Sequence, residues 1–189
     1  MIGRALDFTA SEKRIVTVGI RPTRPETGYG YIKANGMVDD EIFEVEGFKE
    51  KPDLKTAQSY LQKGNYLWNA GIFVWNVNTI VDSITKYKPN IAKDMDGMQT
   101  LADVERIFPQ CEKISIDFAV MEPASKDGKV FTHPADFGWS DLGNWASLHD
   151  KLEKDTANNA KVGNVLMYEC ENCVVHVVDE KKVVLQGLD

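Results

Sequence analysis

The sequence predicts an α/β protein in which helices flank a mixed sheet and short β-strands occupy the C-terminal part. Residues 14–20 form a nearly continuous apolar run, which is typical of a strand buried on both faces in a parallel or mixed sheet. Apolar residues at helical spacing occupy residues 54–63 and 78–87. Short β-like runs end the chain, over residues 165–169, 174–178 and 182–185. These last runs indicate a meander or the first turns of a β-solenoid.

Composition narrows the classes of function. The chain has 189 residues, of which 43% are hydrophobic, and a formal net charge of −7. The acidic balance argues against nonspecific binding of nucleic acid or of a membrane surface. No apolar stretch reaches the ~18 residues that a membrane-spanning helix needs. An odd number of cysteines argues against a disulfide framework and predicts a cytoplasmic protein.

Local signals place the elements of the first half. Residues 1–10 are predicted to form a short helix, and residues 41–48 form a strand with partly alternating polarity. Asp53 is a plausible N-cap of the following helix, because its carboxylate can accept from a free backbone N–H. Gly64 is placed to end that helix, since glycine readily adopts the left-handed backbone of a C-cap.

The second half continues the alternation of strands and helices. Residues 72–75 are an apolar strand, and Pro89 lies just beyond the helix that follows it. Residues 115–122 predict a short helix that is capped by serine and closed by Pro123. Residues 129–132 then form a strand, and a further helix begins after Asp141.

Several polar residues stand where a pocket could form, and each has a structural alternative. Gly28 and Gly30 could bring the backbone close to a ligand, or could mark a kink where a strand begins. Glu50 and Lys51 could be a solvated strand end, or a carboxylate for hydroxyl groups beside an ammonium for a phosphate. Neighbouring strand residues face opposite sides, so both can serve one ligand only if the strand end is irregular.

Two more polar residues allow the same two interpretations. Asn69 is the one polar side chain in an apolar run, where it could satisfy the backbone or bind a sugar hydroxyl. Asp141 lies between two tryptophans, and a glycine stands two residues after it. This pattern is typical of a turn but also possible for a ligand site. Cys170 and Cys173 form a lone C-x-x-C, which we interpret as a turn between strands rather than a metal or redox site.

Five ordered segments resemble a known family. They are residues 23–32, 50–52, 68–73, 115–122 and 139–145, and they are similar to the motifs of mannose-1-phosphate guanylyltransferase (GDP-mannose pyrophosphorylase). Motifs in one order are far more specific than any single pattern. The resemblance implies a Rossmann-like nucleotidyltransferase fold. It also implies an enzyme that uses Mg²⁺ to form GDP-mannose and pyrophosphate from GTP and mannose 1-phosphate.

The resemblance also implies roles for individual residues. Gly30 would offer backbone to the sugar, Glu50 would bind sugar hydroxyls, and Lys51 would bind the phosphate. Asn69 would hold a further hydroxyl, and Asp141 would ligate Mg²⁺, so that Lys51 and Asp141 are the catalytic candidates. Weaker candidates for substrate binding, which could instead only brace loops, are Glu26 and Asp117.

One departure from the family pattern limits these expectations. The glycine-rich loop that cradles the nucleotide and the Asp that shares the metal have no counterpart here. We therefore expect residues 1–160 to be the sugar-phosphate-binding half of a nucleotidyltransferase domain, and residues 161–189 to lead toward a β-helical tail. Such a chain should be inactive alone. It should also leave one sheet edge uncovered and form a homo-oligomer.

The sequence also allows two alternative functions. The chain could be a non-catalytic module that binds or senses a sugar phosphate, because the nucleotide loop has no counterpart in it. It could also belong to a related sugar nucleotidyltransferase of different specificity. In each case the expected partners are small molecules, and neither nucleic acid nor a membrane is expected.

Overall fold

The computed structural model describes residues 1–10, 12–143 and 145–189; Ser11 and Asn144 lie outside the described residues. The described α-helices are α1 (Ile2–Ala10), α2 (Leu54–Lys63), α3 (Val77–Tyr87), α4 (Pro89–Asp96), α5 (Leu101–Ile107), α6 (Glu122–Lys126) and α7 (Trp145–Lys151). The strands are β1 (Ile15–Ile20), β2 (Tyr31–Asp39), β3 (Ile42–Lys49), β4 (Tyr66–Trp75), β5 (Val130–Ala135), β6 (Ala160–Val162), β7 (Val165–Tyr168), β8 (Val174–His176) and β9 (Val183–Gln186). A 3₁₀ turn (Phe108–Gln110) and a π-helical turn (Asp117–Met121) complete the order.

The chain divides into two compact units, Met1–Phe137 and Gly138–Asp189. The first unit contains β1 to β5 and α1 to α6, and the second contains α7 and the four short strands. The boundary that we predict between domains, at residue 160, stays a prediction. None of the described helices is long and apolar enough to cross a membrane.

The sheet of the first unit is mixed and closes on itself. Its strand order is β1-β4-β2-β3-β5, and β5 returns to β1. β1 and β5 run parallel, whereas the other neighbours are antiparallel. The predicted mixed sheet with flanking helices is therefore confirmed. The predicted uncovered edge is wrong for this sheet, because β3 pairs with β5 and completes the ring.

The apolar run that predicts a doubly buried strand is the centre of this ring. All residues of β1 are buried, which matches its continuous apolar sequence. On one side the sheet packs against the π-helical turn, α6 and α3, through Val120, Met121 and Ile84. On the other side Phe8 of α1 makes an edge-to-face contact with Phe131, with ring centroids 5.0 Å apart.

Gly19 of β1 is held in a space that excludes a side chain. A Cβ there would lie 2.5 Å from Leu67 Cδ1 and 2.7 Å from Thr132 Oγ1. We expect Gly19→Ala to lower the free energy of unfolding by about 1–3 kcal/mol, since overpacking a core forces its neighbours to shift. Urea unfolding measures the loss. The matched control is Gly36→Ala in β2, where a Cβ meets nothing within 4 Å; an equal loss in both variants would contradict the steric argument.

The predicted ends of α2 are confirmed. Asp53 accepts from Thr56 N at 2.8 Å, and Gly64 has a φ of 72° and donates to Tyr60 O. The predicted closure of a helix by Pro123 is wrong. α6 instead begins at Glu122 and continues directly from the π-helical turn, so the helix runs through the proline to Lys126.

In the second unit the short strands pair in parallel across neighbouring turns of the chain. β6 pairs with β8, and β7 pairs with β9. A meander would make sequential strands antiparallel neighbours, so this pairing favours the predicted first turns of a solenoid. Asn159 holds one such turn, because its side chain donates to Cys170 O at 2.7 Å and accepts from Cys173 N at 3.0 Å.

Candidate functional site

Asn69 is the centre of a polar network in the first unit. Its Oδ1 accepts from Thr17 Oγ1 and from Gly71 N, each at 3.1 Å. Its Nδ2 donates to Asp117 Oδ1 at 3.1 Å. Its backbone N–H donates to Gly30 O at 2.8 Å. Residues that are far apart in the sequence, on β1, β4 and the π-helical turn, are therefore brought together around one amide.

An irregularity in β4 places this amide. The register between β1 and β4 shifts between Thr17, which pairs with Phe73, and Gly19, which pairs with Asn69. β4 therefore bulges between these positions, and Gly71 there has a φ of 69°. A bulge re-aims the side chains beside it. The glycine two residues after Asn69 thus serves local geometry, because it lets the strand turn the amide toward Thr17 and Asp117.

Glu50 packs directly against Gly30. A Cβ on Gly30 would lie 2.5 Å from Glu50 Oε2, 3.3 Å from Asn69 Cβ and 3.6 Å from Asn69 Nδ2. The absence of a side chain at Gly30 therefore leaves room for Glu50 and Asn69. The approach of a ligand to the Gly30 backbone stays a prediction. Gly30, Glu50 and Asn69 lie side by side, as their predicted roles require. These three residues form one wall of the candidate site.

The end of β3 is irregular, which is the condition for Glu50 and Lys51 to serve one ligand. β3 ends at Lys49, and Lys51 has a φ of 43°, which is unusual for a residue with a side chain. This backbone breaks the alternation of faces, and Lys51 Nζ lies 3.8 Å from Glu50 Oε1. The Lys51 side chain is 65% exposed and that of Glu50 is 19% exposed. A largely buried carboxylate thus stands beside a side chain that reaches solvent and carries an ammonium group.

The carboxylates of this wall repel one another. Burial raises the pKa of Glu50 above its usual range, the neighbouring Asp117 carboxylate raises it further, and Lys51 offsets part of the increase. A ligand that donates a hydrogen bond to Glu50 would relieve this unfavourable charge. The electrostatics therefore suit a hydroxyl group near Glu50 and an anion near Lys51.

The raised pKa of Glu50 predicts an effect on stability. A carboxyl whose pKa is higher in the folded protein stabilises the fold at low pH, and this stability is lost as the pH rises through the folded pKa. We expect Glu50→Gln to have a higher urea midpoint than the wild-type chain at neutral pH. The difference should shrink below the ordinary pKa of glutamate, where both side chains are neutral. A difference that is independent of pH would contradict this explanation.

Asp117 begins the π-helical turn that runs into α6. Glu122 N donates to Asp117 O, which is the wider spacing of a π turn. Such turns occur most often as single insertions and are frequent at functional sites. Pro123 supplies a physical reason, because its ring would clash with the carbonyl four residues earlier in a regular helix. The wider turn accommodates the proline and carries Asp117 to Asn69.

Glu26 uses both carboxylate oxygens within its own loop. Oε1 accepts from Gly28 N at 3.0 Å, and Oε2 lies 3.2 Å from Arg24 Nε. These contacts lower the pKa of Glu26, with the Gly28 hydrogen bond as the largest cause. Tyr31 donates its hydroxyl to Glu26 O at 2.9 Å. The geometry therefore favours Glu26 as a brace of the loop before β2, which was one of its two interpretations.

Asp141 belongs to the second unit. Its Oδ1 accepts from Gly143 N at 3.1 Å, in a local turn, and the residue is exposed. Among residues 1–10, 12–143 and 145–189, no group of three or more His, Cys, Asp or Glu side chains is arranged to hold a metal ion. A single exposed carboxylate still fits Mg²⁺, which often takes one or two carboxylates and completes its shell with substrate phosphates and water.

The C-x-x-C segment carries free thiols. Cys170 donates to Tyr168 O at 3.2 Å, and Cys173 donates to Glu171 O at 3.2 Å. The segment lies between β7 and β8, as the interpretation of a turn between strands requires.

Thr17 is the member of the network that sequence reasoning misses. It is fully buried in β1 and donates to Asn69. The available signal is weak: Thr17 is the one hydroxyl-bearing residue in the apolar strand Ile15–Ile20. A buried threonine is usually satisfied by the backbone, so nothing in the local pattern indicates a partner 52 residues away.

Comparison with known proteins agrees with this architecture. Residues 2–158 match the nucleotidyl transferase family. The chain belongs to this family. Xanthan biosynthesis protein XanB from Xanthomonas campestris pv. campestris is 40% identical to it over 188 residues, which cover 95% of this chain and 39% of that protein. A mannose-1-phosphate guanylyltransferase from Escherichia coli is 38% identical, covering 93% of this chain and 39% of that enzyme. This nucleotidyl transferase chain thus spans 39% of the length of both relatives.

Solved structures give the same family fold. The crystal structure of mannose-1-phosphate geranyltransferase from Thermus thermophilus superimposes with a TM-score of 0.82 at 32% identity, covering 99% of this chain and 54% of that one. The crystal structure of mannose-6-phosphate isomerase from Helicobacter pylori has a TM-score of 0.60 at 24% identity and shares the fold, covering 74% of this chain and 56% of that one. The nucleotidyltransferase fold that the resemblance implies is therefore confirmed.

Proposed function

We propose that this chain is the sugar-phosphate-binding half of a mannose-1-phosphate guanylyltransferase. In the proposed reaction GMP passes from GTP to mannose 1-phosphate, which gives GDP-mannose and pyrophosphate. Residues 1–160 carry the sugar-phosphate site, and residues 161–189 lead into a β-helical tail. The names of two of the relatives reported above, and the five ordered motifs, support the choice of substrate.

One observation carries the proposal: Glu50 and Lys51 present opposite charges side by side, and Glu50 packs against Gly30. The largely buried Glu50 side chain accepts from sugar hydroxyls, and the exposed Lys51 side chain binds the phosphate through its ammonium group. Asn69 lies against the same glycine and adds an amide for a further hydroxyl. A sugar phosphate requires these two kinds of group close together, whereas a free sugar or a free phosphate requires only one of them.

The proposed chemistry requires positioning and charge neutralisation rather than a protein nucleophile. An oxygen of the sugar phosphate attacks the α-phosphorus of GTP in line, and pyrophosphate leaves. Lys51 lowers the repulsion between the two phosphate groups and orients the attacking one. Asp141 is the residue that would hold Mg²⁺, and the metal ion would supply neutralisation of the charge on the triphosphate.

Calorimetric titration of this chain with mannose 1-phosphate tests the proposal. We expect saturable binding that does not require GTP, together with negligible formation of GDP-mannose from GTP and mannose 1-phosphate. Mannose and inorganic phosphate are the matched controls. Mannose lacks the phosphate group and inorganic phosphate lacks the sugar hydroxyls, so each should bind at least about tenfold more weakly than mannose 1-phosphate. Equal affinity for inorganic phosphate would contradict a sugar-phosphate site.

A panel of sugar phosphates separates the proposal from its nearest alternative. Glucose 1-phosphate and galactose 1-phosphate differ from mannose 1-phosphate only in the orientation of hydroxyls. Preference for mannose 1-phosphate supports the proposed specificity, and preference for another sugar assigns the chain to a related sugar nucleotidyltransferase.

Small molecules are the proposed partners, namely mannose 1-phosphate, GTP and GDP-mannose. We also propose a cytoplasmic location, which the three free cysteines support. Self-association into a homo-oligomer is supported by large apolar side chains at the surface of the first unit. Leu101 is 84% exposed and Phe108 is 67% exposed.

A further inference from the structure

The orientation of the Asn69 carboxamide is fixed by partners that cannot exchange roles. Gly71 contributes a backbone N–H, which can only donate, so the amide atom 3.1 Å from it must be the oxygen. On the opposite side Asp117 contributes a carboxylate, which accepts when ionised, so the atom 3.1 Å from it must be the nitrogen. Two independent contacts thus specify the same orientation.

Hydrogen-bonding capacity then limits what Asn69 can offer a ligand. The two acceptor positions of Oδ1 are used by Thr17 and Gly71. Of the two N–H groups of Nδ2, one donates to Asp117. One N–H therefore remains. Asn69 can donate to a ligand but cannot accept from it while this network is intact.

Glu50 has the opposite capacity on the same wall. Asn69 Nδ2 and Glu50 Oε2 lie 3.6 Å and 2.5 Å from the position that a Cβ of Gly30 would occupy. One N–H donor and one carboxylate acceptor thus flank the same backbone. A hydroxyl suits this pair, because it can accept from Asn69 and donate to Glu50 at the same time.

We infer that Thr17 and Asp117 are positioning residues that hold Asn69 as a hydrogen-bond donor to a hydroxyl of the phosphorylated sugar. This inference rests on the proposed function. It specifies that Asn69 donates to the ligand hydroxyl and that Glu50 accepts from it. Thr17 is fully buried in β1, so it acts through Asn69 and not on the ligand. Asp117 has a second effect, because its charge raises the pKa of Glu50 and strengthens that carboxylate as an acceptor.

Paired substitutions at Thr17 separate positioning from packing. Thr17→Val keeps the shape but removes the hydroxyl, and we expect it to raise the Kd for mannose 1-phosphate about three- to tenfold, which corresponds to one hydrogen bond. Thr17→Ser keeps the hydroxyl and should bind within about twofold of the wild-type chain. If Thr17 served packing alone, the order would reverse, and Ser would be the weaker variant.

Paired substitutions at Asp117 test the other side of the amide. Asp117→Ala removes the acceptor and should raise the Kd about tenfold, since hydrogen bonds to charged groups are the stronger ones. Asp117→Asn can still accept through its carbonyl oxygen, so we expect it to recover part of the affinity. Equal affinities for the wild-type chain and Asp117→Ala would overturn the inference.

A measurement without ligand keeps the inference testable if mannose 1-phosphate does not bind. The side-chain amide protons of Asn69, observed by NMR, should resonate at different positions in the wild-type chain and in Asp117→Ala, because one N–H loses its carboxylate acceptor. Absence of binding by the wild-type chain would refute the proposed function while the NMR comparison still tests the orientation. Identical Asn69 spectra for the wild-type chain and Asp117→Ala at all pH values would overturn the inference itself.

Discussion

Replacement of Lys51 by methionine is expected to weaken mannose 1-phosphate binding about 10- to 100-fold, the range for a hydrogen bond to a charged group. The Lys51 side chain is 65% exposed, and its ammonium lies 3.8 Å from the Glu50 carboxylate, so it is free to turn toward a phosphate. Methionine keeps an unbranched, flexible side chain that is one atom shorter, and it removes the charged ammonium group. Calorimetric titration of both proteins measures the change.

The control for this prediction is Lys49→Met. Lys49 is exposed, lies two residues earlier at the end of β3 and carries the same charge. A general loss of positive charge would weaken binding equally in both variants. If the two variants bind alike, Lys51 is not the phosphate group of the site.

The second large effect is expected for Asn69→Leu, which keeps a similar volume but removes every hydrogen bond of the side chain. Thr17 and Gly71 lose their acceptor, and Asp117 loses its donor. We expect the free energy of unfolding to fall by about 2–4 kcal/mol, because polar groups that lose their partners in a partly buried network each cost about 1–3 kcal/mol. Urea unfolding measures this loss, and mannose 1-phosphate binding should also fall below detection.

The matched control is Asn35→Leu in β2, which makes the same chemical change at an exposed position. Its free energy of unfolding should change by no more than about 0.5 kcal/mol, as is usual for surface substitutions. A similar loss in both variants would mean that leucine, rather than the broken network, is responsible.

The parts of the fold that depend on neighbouring residues could be predicted from the sequence. The Asp53 cap needs only a backbone N–H three residues away, and the burial of β1 follows from its own apolar run. Ring closure could not be predicted, because it depends on two residue pairs between β3 and β5, Phe43 with Thr132 and Glu44 with Phe131. Such long-range pairing leaves no local signal.

For the candidate site, the sequence predicts which residues take part but not how they are arranged. The motifs identify Glu50, Lys51 and Asn69 as chemical groups. Whether Glu50 and Lys51 can serve one ligand depends on the left-handed backbone of Lys51, which its residue type does not predict. Two partners of the Asn69 side chain, Thr17 and Asp117, lie 52 and 48 residues away. The fold determines which groups surround the amide, and therefore which partners its oxygen accepts from and its nitrogen donates to.

Closure of the strands β1 to β5 has a consequence for the motions of the first unit. In a sheet with unpaired edges, the edge strands open first. Their amide hydrogens therefore exchange with deuterated solvent before those of the central strands. Each strand of the ring has a neighbour on both sides. Protection from exchange should therefore be lost by these five strands together, as one cooperative opening, and the wall formed by Gly30, Glu50 and Asn69 would then persist as long as the core itself.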